Sequence, residues 1–312
     1  MADIRKVATR QSYGEALVEL GAAHDDFVVL DADLAVATQT GKFKAAYPDR
    51  FIDVGIAEQN LMGVAAGIAT TGRKVFASTF AMFAAGRAFE QVRNSIGYPH
   101  LHVVIGATHA GISVGEDGAT HQCNEDLALM RAIPGMTVIV PADDVEAKAA
   151  VRVAYEAEGP VYVRLGRLPV PVIHKDDYHF ELGRGVVERE GSDVTVVACG
   201  LEVSAALEAA KTLADKGLSC EVINMATVKP LDEDLIVTSA RKTGRVVTVE
   251  EHSVIGGLGS AVCDLLCEVL PTPVKKVGVN DVFGESGPAL DLLAKFGLDG
   301  AGVAAAIEGF VR

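Results

Sequence analysis

Residues 137–165 read TVIVPADDVEAKAAVRVAYEAEGPVYVRL. Two short β-branched runs, Thr137–Val140 and Val161–Leu165, enclose a helical stretch from Val145 to Glu156 whose apolar residues share one face. Asp143 followed three residues on by Glu146 marks the helix start, where a side-chain oxygen can accept from an otherwise unpaired backbone N–H. Both runs are apolar on each of their two faces, so each face needs cover. That combination is a parallel sheet lying between layers of helix.

The same alternation extends outward. Upstream lie the strand candidates Phe27–Asp31, Lys74–Ser78 and Leu101–Ile105, and Ser12-Tyr13-Gly14-Glu15 offers a second capping pattern. Downstream the rhythm breaks between Arg167 and Arg184, where Pro169 and Pro171 precede the polar run His174–His179. Proline fixes φ and the run has neither period, so a linker is expected at 171–184. The alternation then resumes with Val194–Ala198, a helix from Leu201, Glu221–Ile223, Arg245–Val249, a helix from Leu258 and Val274–Val277. The fold class is therefore α/β, with two domains, 1–170 and 185–312, each a mostly parallel sheet covered by helices. No internal repeat is visible.

With 312 residues, 49% of them hydrophobic, the chain can bury a sizeable core, which excludes disorder. Its formal net charge of −14 makes nucleic acid and anionic membranes poor partners, so any cations for a phosphate must be local. Met1 to Tyr13 lacks the apolar centre of a signal peptide, and no apolar run reaches the ~18–20 residues of a membrane span. Cys123, Cys199, Cys220, Cys263 and Cys267 form no CxxC pair and sit in apolar patterns. They read as buried free thiols in a reducing compartment, the cytoplasm.

Three segments offer chemistry. Gly106–Gln122, leaving the strand Leu101–Ile105, is long and glycine-rich and carries His109, Glu116, Asp117 and His121. Connections of that length are usually functional or disordered, and ligands of open α/β sheets bind beyond the carboxyl ends of strands. In Asp53–Asn60, Glu58 is the lone acid entering an apolar helix that runs to Ala69. Taken alone it suits an ordinary first-turn charge better than a desolvated acid with a raised pKa. Phe80 and Phe83, three apart, share a helix face, which core packing ordinarily explains. Gly256-Gly257-Leu258-Gly259 fits no GxGxxG register, and Gly115–Gly118 lacks metal-cage spacing; no metal ligand is assigned.

Taken together these segments resemble the second half of transketolase, a thiamine diphosphate enzyme, from about Asp31 to the end. The resemblance implies a pyrimidine-binding domain followed by a transketolase C-terminal-like domain. It implies that Glu58 protonates N1′ of the cofactor's aminopyrimidine, favouring the imino tautomer whose N4′ removes the C2 proton. Phe80 and Phe83 match the positions that stack around the pyrimidine, and Asp33 an acid near the thiazolium. Asp117 matches the acid that reads the donor's C2 hydroxyl, His121 the histidine at its upper hydroxyls, and His109 and Arg167 the ligands of the sugar phosphate.

There are departures. Gly86 stands where many single-chain relatives have an aromatic residue, which implies a more open pyrimidine pocket. Ala37 replaces a phosphate-binding serine, with the Thr38 hydroxyl one residue later as a substitute. The family's GDG, followed some 25–30 residues later by Asn, has no counterpart here. The resemblance therefore implies one chain of a split transketolase, inactive alone. An N-terminal partner subunit would hold the diphosphate and Mg²⁺, plausibly in an α₂β₂ homodimer of heterodimers acting on sugar phosphates. The surface around Glu58 and Phe83 would then be buried against protein. Alternatives are a 2-oxoacid dehydrogenase β chain, a 1-deoxyxylulose-phosphate synthase-like enzyme and a non-catalytic binding subunit.

Overall fold

The computed structural model describes residues 5–312. Its larger sheet has seven strands in the order Thr227–Lys229, Thr137–Ile139, Val161–Arg164, Val103–Thr108, Lys74–Phe80, Phe27–Asp31 and Phe51–Asp53. Every pairing is parallel except that of Thr227–Lys229 with Thr137–Ile139. The central strands are buried along their whole length, as their two-sided apolar character requires. A second sheet of five strands runs Val274–Val279, Val246–Ser253, Val194–Ala198, Cys220–Asn224 and Val186–Arg189, the last antiparallel.

The outer strand Thr227–Lys229 comes from beyond the expected linker, yet it completes the first sheet. Three residues with one lysine carry too little pattern to read from sequence. They are placed by tertiary pairing: Lys229 Nζ donates to the carbonyls of Arg131 and Ile133, at 2.8 and 2.6 Å. The segment 172–185 holds no helix or strand. Its polar run is nonetheless anchored. Asp143 Oδ2 accepts from the backbone N–H of Ile173 and of His174, both at 2.7 Å, and Tyr178 Oη donates to Glu146 Oε1 at 2.7 Å.

The helix Asp144–Glu156 starts as expected: Asp143 Oδ1 accepts from Glu146 N at 2.9 Å, while Glu146 Oε2 accepts from Ala142 N at 2.7 Å. The Ser12–Glu15 cap does not form. That helix begins earlier, at Thr9, so Ser12 is buried inside its first turn and Glu15 pairs with Lys42 and Lys148 instead. The strand expected at Leu101–Ile105 runs from Val103 to Thr108, which moves His109 to the sheet's carboxyl edge. The thiols are all free, but only Cys123, Cys199 and Cys220 are buried; Cys267 is exposed on its helix. Among the described residues, no helix is long and apolar enough to cross a membrane.

Candidate active site

Phe80 ends the strand Lys74–Phe80, and the chain then turns into a π-helical stretch, Met82–Arg87, that carries Phe83. The two phenylalanines thus meet across a strand end, not along one helix. Their rings are nearly parallel, at 15°, with centroids 5.8 Å apart. His109 stacks on Phe80 at 3.9 Å, and His121 meets Phe83 edge-on at 5.4 Å. Gly86 sits in the same stretch, where the Met82 methyl lies in the space a side chain would enter. A thioether thus packs in the space beside Gly86.

Glu58 opens the helix Glu58–Ala69 and is 3% exposed. Both of its carboxylate oxygens accept from Arg87 Nη1, at 2.9 Å, and the Arg87 guanidinium lies 4.5 Å from the centre of the Phe83 ring. A lone acid can be buried there because one cation balances it. The helix N-terminus adds a favourable dipole.

On the other side of Phe80 the site turns cationic. His109, in the left-handed region at φ 57°, accepts from Arg10 Nη1 on Nε2 at 3.2 Å, which leaves Nδ1–H to donate to Thr108 Oγ1 at 2.9 Å. Burial, then the nearby Arg10 and Arg167 charges, pull its pKa down to about 3, so the ring is neutral at physiological pH. Arg10 is itself lowered, by burial and by Arg167. Two guanidinium groups lie around a neutral imidazole, Arg167 within 3.4 Å of Glu116 Oε2, and both can offer paired donors to an anion. Arg167 Nη1 donates to Val114 O at 2.5 Å and lies 3.7 Å from Asp117 Oδ2.

An open cleft of about 660 Å³ brings together Arg10, Asp33, Phe80, His109, Asp117 and Arg167. Asp33 is exposed at φ 62°, its N–H donating to Asp53 Oδ1 at 3.0 Å. Glu58, Phe83 and His121 do not line this cleft; they lie behind Phe80, joined to it through ring contacts and Arg87. Thr38 cannot replace the missing hydroxyl at Ala37. Its Oγ1 points inward and donates to the buried Asp31 carboxylate at 2.7 Å, while Ala37 offers its carbonyl to Arg10 at 2.8 Å. The glycine turn at Gly256–Gly259 is also taken, because the buried Glu250 carboxylate accepts from Leu258 N and Gly259 N at 2.7 and 2.8 Å.

Arg10 and Arg87 are absent from the sequence reading. Arg87 stands four residues after Phe83 and seven after Phe80, a helical interval that could have flagged it. Arg10 carries no such signal; it enters the site through a contact with a residue 99 positions away.

Comparison with known proteins fits this geometry. Residues 5–172 match the transketolase pyrimidine-binding domain, and residues 183–303 the transketolase C-terminal domain. A protein of Methanocaldococcus jannaschii described as a putative transketolase C-terminal section is 50% identical over 95% of this chain and 93% of its own. Human transketolase is 39% identical over 98% of this chain, which spans 49% of the human protein. A solved split-gene transketolase, an inactive β₄ tetramer, shares 59% identity and superposes with a TM-score of 0.91 over 97% of this chain and 98% of its own. A pyrimidine-binding domain joined to a C-terminal domain, together with these relatives, places this chain in the transketolase family, whose members depend on thiamine diphosphate.

Proposed function

We propose that this chain is the C-terminal subunit of a two-chain transketolase, moving a two-carbon ketol unit from a ketose phosphate to an aldose phosphate. The observation that carries the reading is the arrangement around Phe80: a buried acid and a second ring on one side, a cluster of cations on the other. The donor set suits an aminopyrimidine. Phe80 and Phe83 offer apolar ring faces, and Glu58 is a shielded carboxyl able to hold a proton against a ring nitrogen. The half-exposed Arg87 is the group that gives way when a ring approaches Glu58. The chemistry that thiamine diphosphate supplies when bound is a nucleophilic carbon for breaking the bond beside a ketone.

Within the cleft, Arg10, Arg167 and the neutral His109 would bind the sugar phosphate, the arginines by charge and His109 by seating the Arg10 guanidinium. A ketose donor carries a carbonyl, not a hydroxyl, at C2, so the hydroxyl from which Asp117 would accept is the adjacent one at C3. His121, half-buried at the edge of Phe83, would act on the upper hydroxyls as a proton carrier. Asp33 faces the same cleft at the thiazolium end. The diphosphate and Mg²⁺ are assigned to an N-terminal partner chain, as the family resemblance implies. A homodimer of heterodimers in the cytoplasm fits this division and the free thiols. The exposed Val36, Ile52 and Ile56, close in sequence to Asp33 and Glu58, suit burial against that partner.

The test is reconstitution. This chain alone, with Mg²⁺ and cofactor, is expected to leave xylulose 5-phosphate untouched, and ketol transfer is expected once the N-terminal subunit is added. Turnover by the chain alone overturns the split assignment. A preference for 2-oxoacids, or for pyruvate with glyceraldehyde phosphate, overturns the choice of substrate.

A further inference from the structure

The segment that carries Asp117 and His121 belongs to the first domain by sequence, yet much of what holds it comes from the second. Gly111 to Gly118 forms a tight double turn in which Gly111, Gly115 and Gly118 all have positive φ. The backbone N–H of Ser113 donates to Glu251 Oε1, at the end of the strand Val246–Ser253. A Cβ on Gly111 would collide with the same carboxyl. Gln122 Nε2 bridges Ile112 O and Glu285 O, at 3.1 and 2.9 Å, and the helix Ala289–Lys295 packs on the turn.

The structure assigns Glu251 as a positioning residue: its side chain crosses from the C-terminal domain to fix the turn that aims Asp117 and supplies the Val114 carbonyl to Arg167. This role rests on the substrate reading above. Glu251 is 4% exposed, so its donor is chosen by the fold and not replaced by water. Its backbone is fixed as well. Arg164 Nη2 donates to Glu251 O at 2.9 Å and to Cys123 O at 3.2 Å, while Arg164 Nε pairs with Asp126 at 2.8 Å. The Cys123 carbonyl in turn accepts from Gly111 N at 3.0 Å, which ties both ends of the segment to one guanidinium. Burial pushes the Glu251 carboxyl up to about 7 against the pull of Arg164, so the site gains little from its charge. What the turn needs is an acceptor oxygen at that reach. Glutamine keeps it, whereas aspartate is one methylene short and alanine has none.

The experiment compares wild-type, E251Q, E251D and E251A chains in two measurements. In the reconstituted two-chain enzyme, E251A and E251D are expected to raise KM for xylulose 5-phosphate about tenfold, the worth of one buried hydrogen bond, with kcat little changed. E251Q is expected to stay near wild type. In the full chain by itself, exchange of the Ser113 amide is expected to accelerate in E251D and E251A and to remain slow in E251Q. Absence of transfer by the wild-type complex would defeat the functional reading, and amide exchange would still decide the clamp. Equal Ser113 exchange in all four chains overturns the assignment, as does a glutamine variant that loses as much as alanine, or faster exchange with KM unmoved. Should E251A fail to fold, E251D against E251Q decides the same question.

Discussion

Glu58 and Arg87, which meet at one end of the site, stand 29 residues apart in the sequence; Arg10 and His109, which meet at the other, stand 99 apart. The Glu58 end is made by one helix, the next strand and the turn that follows it. The His109 end draws on the first helix, the edge of the sheet, the residues after Val161–Arg164 and a loop held by the second domain. One end is a local product of consecutive elements, and the other exists only when distant parts have docked. Damage to the first should change the chemistry and leave recognition intact. Damage to the second should do the reverse.

The largest expected effect tests the local end. Glu58→Gln keeps the shape but cannot deliver a proton, so kcat should fall by ~10²–10⁴ with KM for sugar phosphates unchanged. Near-normal turnover, or a KM effect of comparable size, breaks the contrast. Next comes the assembled end. Arg167→Ala and Arg10→Ala should each raise KM for phosphorylated ketoses by about 10–100-fold, the worth of a charge-assisted hydrogen bond, and spare an unphosphorylated donor. Equal losses on both donors remove the phosphate role. A smaller change is expected for Asp117→Ala: discrimination between donors of opposite C3 configuration should narrow about tenfold, measured as the ratio of kcat/KM.

The smallest effect concerns the anchored segment that follows Arg167. His174 contacts Asp143 at 3.1 Å and Glu188 at 3.0 Å, and these carboxylates hold its pKa up at about 10 against its burial. The folded state therefore favours the protonated ring. The stabilisation is fully present below about pH 6.5, the unfolded value, and is lost as pH rises through about 10. His174→Gln should lower Tm by about 2–4 °C at pH 6 and flatten the decline between neutral pH and pH 10. A variant whose melting still tracks wild type across that range would detach this network from the stability of the segment.

The alternation of strands and helices was legible because each buried strand had to be apolar on both faces; Val194–Ala198 falls where its pattern ends. Short pieces were not. Thr227–Lys229 is a strand only because Thr137–Ile139 lies beside it, and the first helix begins at Thr9 because Ala8 O is free to accept there, whatever Ser12 offers. At the site, the residues named from the family resemblance fall in two groups joined through Phe80. Arg10 and Glu251 escaped notice for one reason: each acts through a partner far away in sequence, and no local spacing records such a contact.

The strand Thr227–Lys229 has a consequence for cutting this chain. A fragment ending at Gly183 would lose the antiparallel partner of Thr137–Ile139 and display an unpaired row of N–H and carbonyl groups beside apolar residues. Such an edge is a template for strands of other molecules. The excised first half should therefore self-associate or precipitate on expression, while the intact chain keeps that edge closed. Proteolysis in the 172–185 segment need not release it, because the pairing itself holds the two pieces together. The connector that looks like the natural place to divide the protein is thus bypassed by a non-covalent stitch, and the two halves behave as one folded unit.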